Sequence, residues 1–381
     1  MKHRIAVLGA GYAGANAAGR LARRLQPADT EITVVNADPD FVERVRLHQL
    51  ATGQELKHRP LADVFAGTGI VLKIARVATV DADAKTVLLE DGSDLAYDTL
   101  VYALGSTAAD QGVPGVADHA ENVAGKAGAL RLRDRLTALP AGGTVLVTGG
   151  GLTGIEAVTE IAESRPDLDV ALAVRGGLGD WLSEKGRRHL TRVMSRLGVR
   201  IHDHTDVTEI TGTHALTADG RKIPAEITVW TAGFAAHPIA AATTLRTDPA
   251  GRVMVDASMR SLSHPDVYAI GDAALAQGAG DKPLRMSCAS GIPMAWHAAD
   301  TIAAHLTARP LPETTIGYTL QCISLGRHDA LVQRVTPDDR AKPSALTGRP
   351  AARVKQLICT AAAWSTANPT LKLPTRRHPT R

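Results

Sequence analysis

The sequence predicts an α/β fold, because one pattern of strand, glycine-rich turn and helix occurs in it twice. The two turns begin at Gly9 and Gly149, and each follows an apolar run that is typical of a buried strand. A second strand pattern follows each helix, and β-α-β units of this kind contain parallel strands joined by a right-handed crossover. Residues 311–381 match neither unit. We therefore expect two Rossmann-like three-layer domains and a small α+β carboxy-terminal domain.

Length and composition agree with a soluble protein of two or three domains. The chain has 381 residues, of which 44% are hydrophobic and 22% are charged. Aromatic residues make up only 3%, and the formal net charge is +4. Proteins that bind single-stranded nucleic acid use aromatic platforms, and dedicated nucleic-acid binders are more basic than this chain. We therefore predict no nucleic-acid partner.

The first unit has strand residues 4–8, a turn, a helix at residues 15–25 and a second strand at residues 31–35. Its turn, GAGYAG, matches the GxGxxG pattern of dinucleotide-binding turns. The first glycine makes the tight turn, the second lets a pyrophosphate approach the backbone, and the third lets helix and strand pack closely. The start of the helix supplies N–H donors for phosphate. The predicted contacts are Gly9, Gly11, Tyr12, Ala13 and Gly14.

The second unit has the same order, with strand residues 144–148, a turn and a helix at residues 155–164. Its turn, GGGLTG, is a second GxGxxG, and a strand at residues 169–174 follows. Two such turns, each between a strand and a helix, predict two nucleotide sites. The predicted contacts of the second site are Gly149, Gly151, Leu152, Thr153 and Gly154.

The acidic residue expected at the end of each second strand is missing in both units. Asn36 stands there in the first unit, and its side chain can bond a ribose hydroxyl, although more weakly than a carboxylate. Arg175 stands there in the second unit, where a guanidinium suits the 2′-phosphate of NADPH. The alternative for Arg175 is a solvated loop charge.

The remaining segments carry weaker signals. Residues 70–80 and 86–90 alternate apolar and polar side chains, which indicates antiparallel β structure. A helix is expected at residues 295–306. The pair His202 and His204 is typical of a polar surface loop, so we predict no metal site. The basic residues 371–381 contain no acid and are expected to fray.

Cysteine usage and hydropathy favour a cytoplasmic protein. Cys288, Cys322 and Cys359 are far apart and form no CxxC, which is typical of reduced, buried thiols. No signal-peptide pattern is evident, and no apolar run approaches the roughly 18 residues of a membrane-spanning helix. Residues 353–364 place apolar side chains at helical spacing. Core packing is favoured for this stretch, with peripheral membrane contact as the alternative.

Three further motifs identify a resemblance. Residues 97–106, YDTLVYALGS, resemble a strand-and-turn segment of two-dinucleotide-domain flavoproteins, and residues 267–273, VYAIGDA, resemble their second FAD motif. Residues 229–234, VWTAGF, resemble the segment that closes their pyridine-nucleotide domain. The resemblance implies bound FAD and NADH or NADPH, with Asp272 bonded to a ribityl hydroxyl. It adds to the FAD site Ala103, Gly105, Gly271, Asp272 and Ser290, and to the NAD(P)H site Ala232 and Gly233.

The same resemblance implies a division into domains. The FAD-binding domain is expected to be discontinuous, with residues 1–115 and 250–310. Residues 116–249 form the expected NAD(P)H-binding domain, and residues 311–381 form the carboxy-terminal domain.

Within this superfamily the chain is most similar to type II NADH:quinone oxidoreductase-like proteins. Residues 47–53, LHQLATG, resemble their segment after the first unit, and residues 324–327 resemble the start of their carboxy-terminal domain. Glu156 takes the position of a glutamate near their nicotinamide–flavin stack. Its alternative role is that of a first-turn helix acid, which the helix dipole favours. His48 and Cys288 are candidate groups on the substrate side.

The departures from the family pattern leave the electron acceptor open. Residues 41–52 contain no cysteine, so a dithiol relay there is excluded. The Ala-Gln pair of the quinone enzymes is absent from residues 285–297, and we expect residues 287–291 to form a loop beside the flavin. The expected function is FAD-dependent transfer of electrons from NAD(P)H to a quinone or another small molecule. A flavoenzyme that modifies an aromatic or quinonoid metabolite and a flavin-bound redox sensor are alternatives. The oligomeric state is open, a homodimer included.

Overall fold

The computed structural model describes residues 1–370, 377, 379 and 380 of the chain. In chain order the strands are β1 (His3–Leu8), β2 (Thr30–Asn36), β3 (Val71–Ile74), β4 (Val77–Asp81), β5 (Thr86–Leu89), β6 (Asp94–Ala96), β7 (Thr99–Tyr102), β8 (Ser106–Ala108), β9 (Ala120–Glu121), β10 (Thr144–Thr148), β11 (Asp169–Ala173), β12 (Arg200–His202), β13 (Val207–Ile210), β14 (His214–Thr217), β15 (Lys222–Pro224), β16 (Ile227–Trp230), β17 (Phe234–Ala236), β18 (Val253–Met254), β19 (Val267–Ala269), β20 (Ala274–Leu275), β21 (Leu320–Ser324), β22 (Ala330–Val335) and β23 (Ala341–Thr347). The helices are α1 (Tyr12–Arg24), α2 (Leu47–Ala51), α3 (Leu61–Phe65), α4 (Val116–His119), α5 (Lys126–Ala138), α6 (Leu152–Ser164), α7 (Glu184–Arg196), α8 (Cys288–Leu306) and α9 (Arg349–Ala367). Short 3₁₀ segments lie at Arg44–Arg46, Ala240–Ala242, Gly271–Ala273 and Ala279–Asp281.

The first sheet has the strand order β19-β7-β1-β2-β3, and its neighbouring strands run parallel. Val7 and Leu8 in its centre are fully buried, as expected where helices cover both faces of a parallel sheet. The Gly9 amide donates to the Val35 carbonyl oxygen at 2.8 Å. The first glycine turn therefore lies at the carboxyl ends of β1 and β2.

The second sheet repeats this arrangement with the order β12-β11-β10-β16-β9, again parallel. The Gly149 amide donates to the Ala173 carbonyl oxygen at 2.9 Å, so the second glycine turn occupies the equivalent place. The two sheets confirm the predicted α/β class with Rossmann-like units. The exact domain boundaries stay predictions.

Small antiparallel sheets accompany the large ones. Strands β4, β5 and β6 form one of them, and strands β13, β14 and β15 form another. The prediction for residues 70–80 is therefore wrong in its first half, because β3 joins the edge of the first parallel sheet beside β2. Strand β8 pairs with β17 and so links the two glycine-turn units.

The carboxy-terminal segment is an antiparallel sheet, β21-β22-β23, with α9 packed against β22 and against α1. The expectation of a core-facing apolar stripe in α9 is wrong for Leu357 and Ile358, which are 71% and 39% exposed. The buried positions of α9 carry Ala351, Cys359, Ala363 and Thr366. Small side chains face the core because α9 lies close to its neighbours.

Helix α8 begins at Cys288 and is longer than the predicted helix at residues 295–306. The expectation of a loop at residues 287–291 is therefore wrong, because residues 288–291 form the first turn of this helix. Ser287 is its extended N-cap, and the amides of Ser290 and Gly291 both donate to the Ser287 carbonyl oxygen. Pro293 lies inside this helix, where a proline has no N–H to donate to the carbonyl oxygen four residues earlier. The expected fraying of residues 371–381 lies outside the described residues, except for 377, 379 and 380. Within residues 1–370, no helix has both the length and the apolar character needed to cross a bilayer.

Candidate functional site

The first glycine turn has the shape that a pyrophosphate needs. Gly9 has a φ of +95°, and a Cβ there would lie 2.4 Å from the Ala103 carbonyl oxygen. A Cβ on Gly14 would lie 1.8 Å from the Gly9 carbonyl oxygen, so only glycine allows α1 to pack this close. Around Gly11 no atom lies within 4 Å of the place of a Cβ, and no side chain caps α1. The helix start is therefore open to an anionic group.

Tyr12 and Asn36 support this turn from inside. The Tyr12 ring is buried and packs edge-on against Phe41, with the ring centroids 4.9 Å apart. Asn36 Oδ1 accepts from the Ala10 amide at 2.8 Å, and its Nδ2 donates to the Asp38 carbonyl oxygen at 2.7 Å. In this structure Asn36 thus holds the turn in place, and its bond to a ribose stays a prediction.

The other residues predicted for FAD converge on the same turn. A Cβ on Gly271 would lie 3.0 Å from the Ala13 Cβ, and one on Gly291 would lie 3.4 Å from the Gly271 Cα. Ser290 is buried at the start of α8, where its Oγ donates to the Ser287 carbonyl oxygen at 3.0 Å. Close backbone contacts therefore join the starts of α1 and α8, and these residues fit an FAD cradle.

Asp272 lies in a polar cluster beside this cradle. Its Oδ2 accepts from Ser106 Oγ at 2.6 Å and lies 3.5 Å from Arg44 Nη1. Arg44 also donates to Ser106 Oγ at 3.2 Å, and its Nη1 would lie 3.3 Å from a Cβ on Gly105. Sequence reasoning missed Arg44, because a single arginine after the second strand belongs to no motif.

The second glycine turn repeats the geometry of the first. Gly149 has a φ of +116°, and its Cβ would lie 2.7 Å from Thr231 Oγ1. A Cβ on Gly154 would lie 1.9 Å from the Gly149 carbonyl oxygen, whereas the surroundings of Gly151 are open. Leu152 and Thr153 begin α6, which no side chain caps. This turn therefore fits a second nucleotide.

Ala232 and Gly233 follow β16 beside this turn. A Cβ on Gly233 would lie 2.5 Å from Gln111 Nε2. The Gly233 carbonyl oxygen accepts from the Ala109 amide at 3.2 Å. The segment after β16 in the second unit is thus hydrogen-bonded to the segment after β8 in the first unit.

Arg175 lies at the carboxyl end of β11, as predicted, but it is already paired. Its Nε lies 3.1 Å from Asp206 Oδ1, and the two side chains are 78% and 52% exposed. A second carboxylate, that of Asp180, accepts from the Gly177 amide at 2.7 Å. A 2′-phosphate beside Arg175 would therefore meet two acidic neighbours.

Glu156 forms a largely buried ion pair with Lys355 of α9. Its Oε1 lies 2.8 Å from Lys355 Nζ and accepts from the Ser324 amide at 2.9 Å. Its Oε2 lies 4.0 Å from His48 Nδ1. Glu156 is the fifth residue of α6, and the first turn of α6 holds no acid. The alternative role of a first-turn acid is therefore wrong, and this pair explains the residue instead.

Burial and the ion pair between Glu156 and Lys355 determine the pKa values of Glu156, Lys355 and His48. Burial alone would raise the pKa of Glu156, but Lys355 and then His48 outweigh it, and the pKa is lowered. Burial alone would lower the pKa of Lys355, whereas the Glu156 carboxylate raises it. Burial lowers the pKa of His48 despite the nearby carboxylate. At neutral pH the cluster is therefore a charged pair beside a neutral imidazole.

The cysteines lie around the same lysine. The Cys322 carbonyl oxygen accepts from Lys355 Nζ at 3.1 Å, and Cys359 follows Lys355 by one turn of α9. Burial raises the pKa of the Cys288 thiol to about 11 and that of Cys322 to about 11. Cys288 is thus a neutral thiol at pH 7, which does not favour a nucleophilic thiolate.

Sequence reasoning also missed Lys355. The signal was its spacing of four residues from Ala351 and from Cys359, which places a lysine on the buried face of α9. A lysine on such a face requires a buried partner, and the sequence offers no local pattern that names Glu156.

Comparisons with known proteins agree with this arrangement. Residues 3–303 match the family model of pyridine nucleotide-disulphide oxidoreductases. An NADH dehydrogenase-like protein of Mycobacterium tuberculosis is 30% identical over 94% of this chain and 93% of its own length. The type II NADH:quinone oxidoreductase of Staphylococcus aureus is 25% identical over 95% of this chain and 96% of its own.

A solved structure shares the fold. The sulfide:quinone oxidoreductase of Aquifex aeolicus superimposes with a TM-score of 0.81 at 19% identity, over 97% of this chain and 92% of that one. The fold, both glycine turns and the family match lead to one conclusion. The chain belongs to the pyridine nucleotide-disulphide oxidoreductase family, and it is an oxidoreductase whose cofactors are FAD and NADH or NADPH.

Proposed function

We propose that the protein oxidises NADH or NADPH and reduces a quinone, with FAD as its resident cofactor. The observation that carries this proposal is the buried pair of Glu156 and Lys355. It lies where the helix after the second glycine turn meets α2 and the carboxy-terminal helix α9. The type II NADH:quinone oxidoreductase named above supports the same acceptor class by its similarity over nearly the whole chain.

Proton balance explains why such a pair suits a quinone. When bound, the nicotinamide and the flavin supply the hydride chemistry. A quinone takes up two electrons and two protons, and a hydride brings both electrons but only one proton. Lys355 holds protons at Nζ in a site shielded from water, and an ammonium also stabilises negative charge on a nearby oxygen. Glu156 keeps Lys355 protonated, as the raised pKa of this lysine indicates.

The departure from the quinone enzymes changes the acceptor contacts that we propose. The chain lacks their Ala-Gln pair and has Ser287 and Cys288 at the start of α8. We therefore assign no acceptor contact to a glutamine side chain. We propose instead that Lys355 makes the polar contact to the acceptor. The neutral imidazole of His48 lies on the other side of Glu156.

Anaerobic kinetics with the purified holoprotein test the proposal. Flavin bleaching by NADH and by NADPH is followed by reoxidation with menadione, oxygen, ferredoxin or ferricyanide. We expect menadione to be the fastest two-electron acceptor. Reoxidation by menadione that is slower than by oxygen contradicts the proposal. Very slow turnover with every acceptor would favour the redox sensor.

Variants of Glu156 and Lys355 then test whether this pair supplies the proton for quinone reduction. We expect Lys355→Met to lower the menadione rate about a hundredfold and to leave flavin bleaching by NADH unchanged. Lys185→Met is the matched control, because Lys185 is exposed on α7. Removal of one partner leaves a buried charge at a cost of about 3–5 kcal/mol. The double variant Glu156→Gln/Lys355→Met, which removes both charges, is therefore measured alongside.

A further inference from the structure

We propose that three glutamates on one face of α6 carry protons between solvent and the buried pair of Glu156 and Lys355. These residues, Glu156, Glu160 and Glu163, are called here the carboxylate ladder. The inference rests on the proposed function, since it concerns the proton that quinone reduction takes from solvent.

The spacing of the ladder follows from helix geometry. Residues four and three positions apart lie on the same side of a helix, so each glutamate is adjacent to the next along α6. Glu156 and Glu160 are buried, at 8% and 0% exposed, whereas Glu163 is half-buried. The ladder thus begins at the buried pair, passes through the core and ends near the surface.

One wall of the ladder is the hairpin between β21 and β22. The Ser324 amide donates to Glu156 at 2.9 Å, and the Arg327 amide donates to Glu163 at 2.5 Å. Arg327 Nε lies 3.4 Å from Glu160 Oε1, while the Arg327 side chain is 46% exposed. The hairpin therefore contacts all three carboxylates and reaches solvent at the Glu163 end.

The opposite wall is the segment that contains α2. His48 Nδ1 lies 4.0 Å from Glu156 Oε2, and the Gln54 amide group donates to Glu160 Oε1. Among the described residues, the other oxygen of Glu160, Oε2, is buried without a hydrogen-bond partner. A buried carboxylate oxygen without a partner is costly when it is charged, and a proton on it lowers that cost because it removes the charge.

The middle carboxyl is the one that can change its protonation near neutral pH. Burial, followed by the charge of Glu163, raises the pKa of Glu160 to about 7, against the opposing effect of Arg327. Glu156 adds a further small upward effect, and Gln54 is uncharged. Lys355 and His48 face Glu156 rather than Glu160.

The proton balance of the step is simple. Oxidation of NADH by a quinone gives NAD⁺ and quinol and consumes one proton from solvent. In the ladder, Glu163 takes this proton from water, Glu160 receives it, and the Glu156–Lys355 pair passes it to the quinone oxygen. Each group loses one O–H or N–H bond and regains one, so no oxidant or reductant besides NADH and the quinone takes part.

Infrared spectroscopy of the resting holoprotein tests the ladder without any acceptor. We expect a protonated-carboxyl band that titrates near pH 7 and disappears in Glu160→Gln. It should persist in Glu209→Gln, which changes an exposed glutamate of β13. If the wild type lacks this band, or if Glu160→Gln retains it, the ladder is overturned, whatever the acceptor is.

Kinetics supply the second readout. In Glu160→Gln we expect the menadione rate to fall about tenfold or more, with the ferricyanide rate unchanged because ferricyanide takes electrons without protons. An unchanged menadione rate and pH profile would overturn the ladder. If Glu160→Gln does not fold, Glu163→Gln at the surface end is expected to show the same selective loss. A wild type that reduces no quinone rejects the proposed function, and the carboxyl band alone then decides whether Glu160 exchanges protons.

Discussion

At the scale of single residues, the polar cluster of Asp272 makes a direct prediction about the flavin. Ser106 and Arg44 hold its carboxylate at the edge of the FAD cradle. We expect Asp272→Ala to lower the flavin content of the purified protein without unfolding it, because a carboxylate bonded to a hydroxyl contributes about 1.5–3 kcal/mol. The ratio of flavin to protein absorbance measures the effect. Asp248→Ala is the control, because the Asp248 carboxylate accepts hydrogen bonds from its neighbours Ala250 and Arg252. Unchanged flavin content in Asp272→Ala contradicts the assignment.

Arg175 predicts that NADPH is used at least as well as NADH, provided that the guanidinium exchanges its pairing with Asp206 for the 2′-phosphate. A guanidinium binds a phosphate through charge-assisted hydrogen bonds worth about 1.5–3 kcal/mol, which is about ten- to a hundredfold in specificity. Arg175→Glu should therefore shift kcat/KM toward NADH. Because Asp206 competes for the guanidinium, Asp206→Asn should shift kcat/KM toward NADPH.

The control for Arg175 is Arg192→Glu, which changes an exposed arginine of α7. Steady-state kcat/KM with both nucleotides gives the comparison. A wild type that strongly prefers NADH, with no shift in either variant at the Arg175–Asp206 pair, rejects the role of Arg175.

Glu160 predicts how stability changes with pH. Its folded pKa of about 7 lies above the ordinary value of a carboxyl group, so folding favours the protonated form. The stability that this group contributes is fully present below the ordinary pKa and is lost as the pH rises through about 7. We expect Glu160→Gln to be more stable than the wild type at pH 8, by up to about 3 kcal/mol, with no gain at pH 4. Denaturant unfolding of both proteins at pH 8 and at pH 4 measures this difference in stability. A gain in stability that is the same at both pH values contradicts the raised pKa of Glu160.

At the scale of elements, the glycine turns were predictable and α9 was not. Gly9, Gly14, Gly149 and Gly154 stand where a Cβ would meet a backbone atom or where φ is positive. Backbone geometry therefore fixes the residue type, and a local pattern reveals it. In α9 the largest apolar side chains face outward and the small ones face inward. Periodicity identifies the helix but cannot distinguish the two faces without knowledge of what packs against them.

At the scale of the whole molecule, the site depends on contacts between distant segments. Lys355 of α9 reaches Glu156 of α6, while Thr366 of the same helix bonds Asn16 of α1 at 3.1 Å. The carboxy-terminal helix thus contacts both glycine-turn units. No local pattern predicts such pairs, since they arise only when the domains assemble. The nucleotide turns were therefore predictable from the sequence, whereas the Glu156–Lys355 pair was not.

The outer face of α9 predicts that part of the protein binds to membrane surfaces. Leu357, Ile358 and Trp364 are 71%, 39% and 50% exposed on this face, and Arg353 is exposed on the same side. Burial of a large apolar side chain contributes about 1.5–3 kcal/mol, so such a patch supports weak, reversible binding to an anionic membrane surface.

Flotation with anionic vesicles at low and high salt measures this binding. We expect a fraction of the wild type to float at low salt and little to float at high salt, because a short patch needs help from charge. Leu357→Ser/Trp364→Ser should lose the binding, whereas Leu262→Ser, at a site that is 50% exposed on another surface, should retain it. Equal flotation of the double variant and the wild type would show that α9 is not the contact. Strong binding at high salt would show that apolar contact, rather than charge, dominates the association of this protein with membranes.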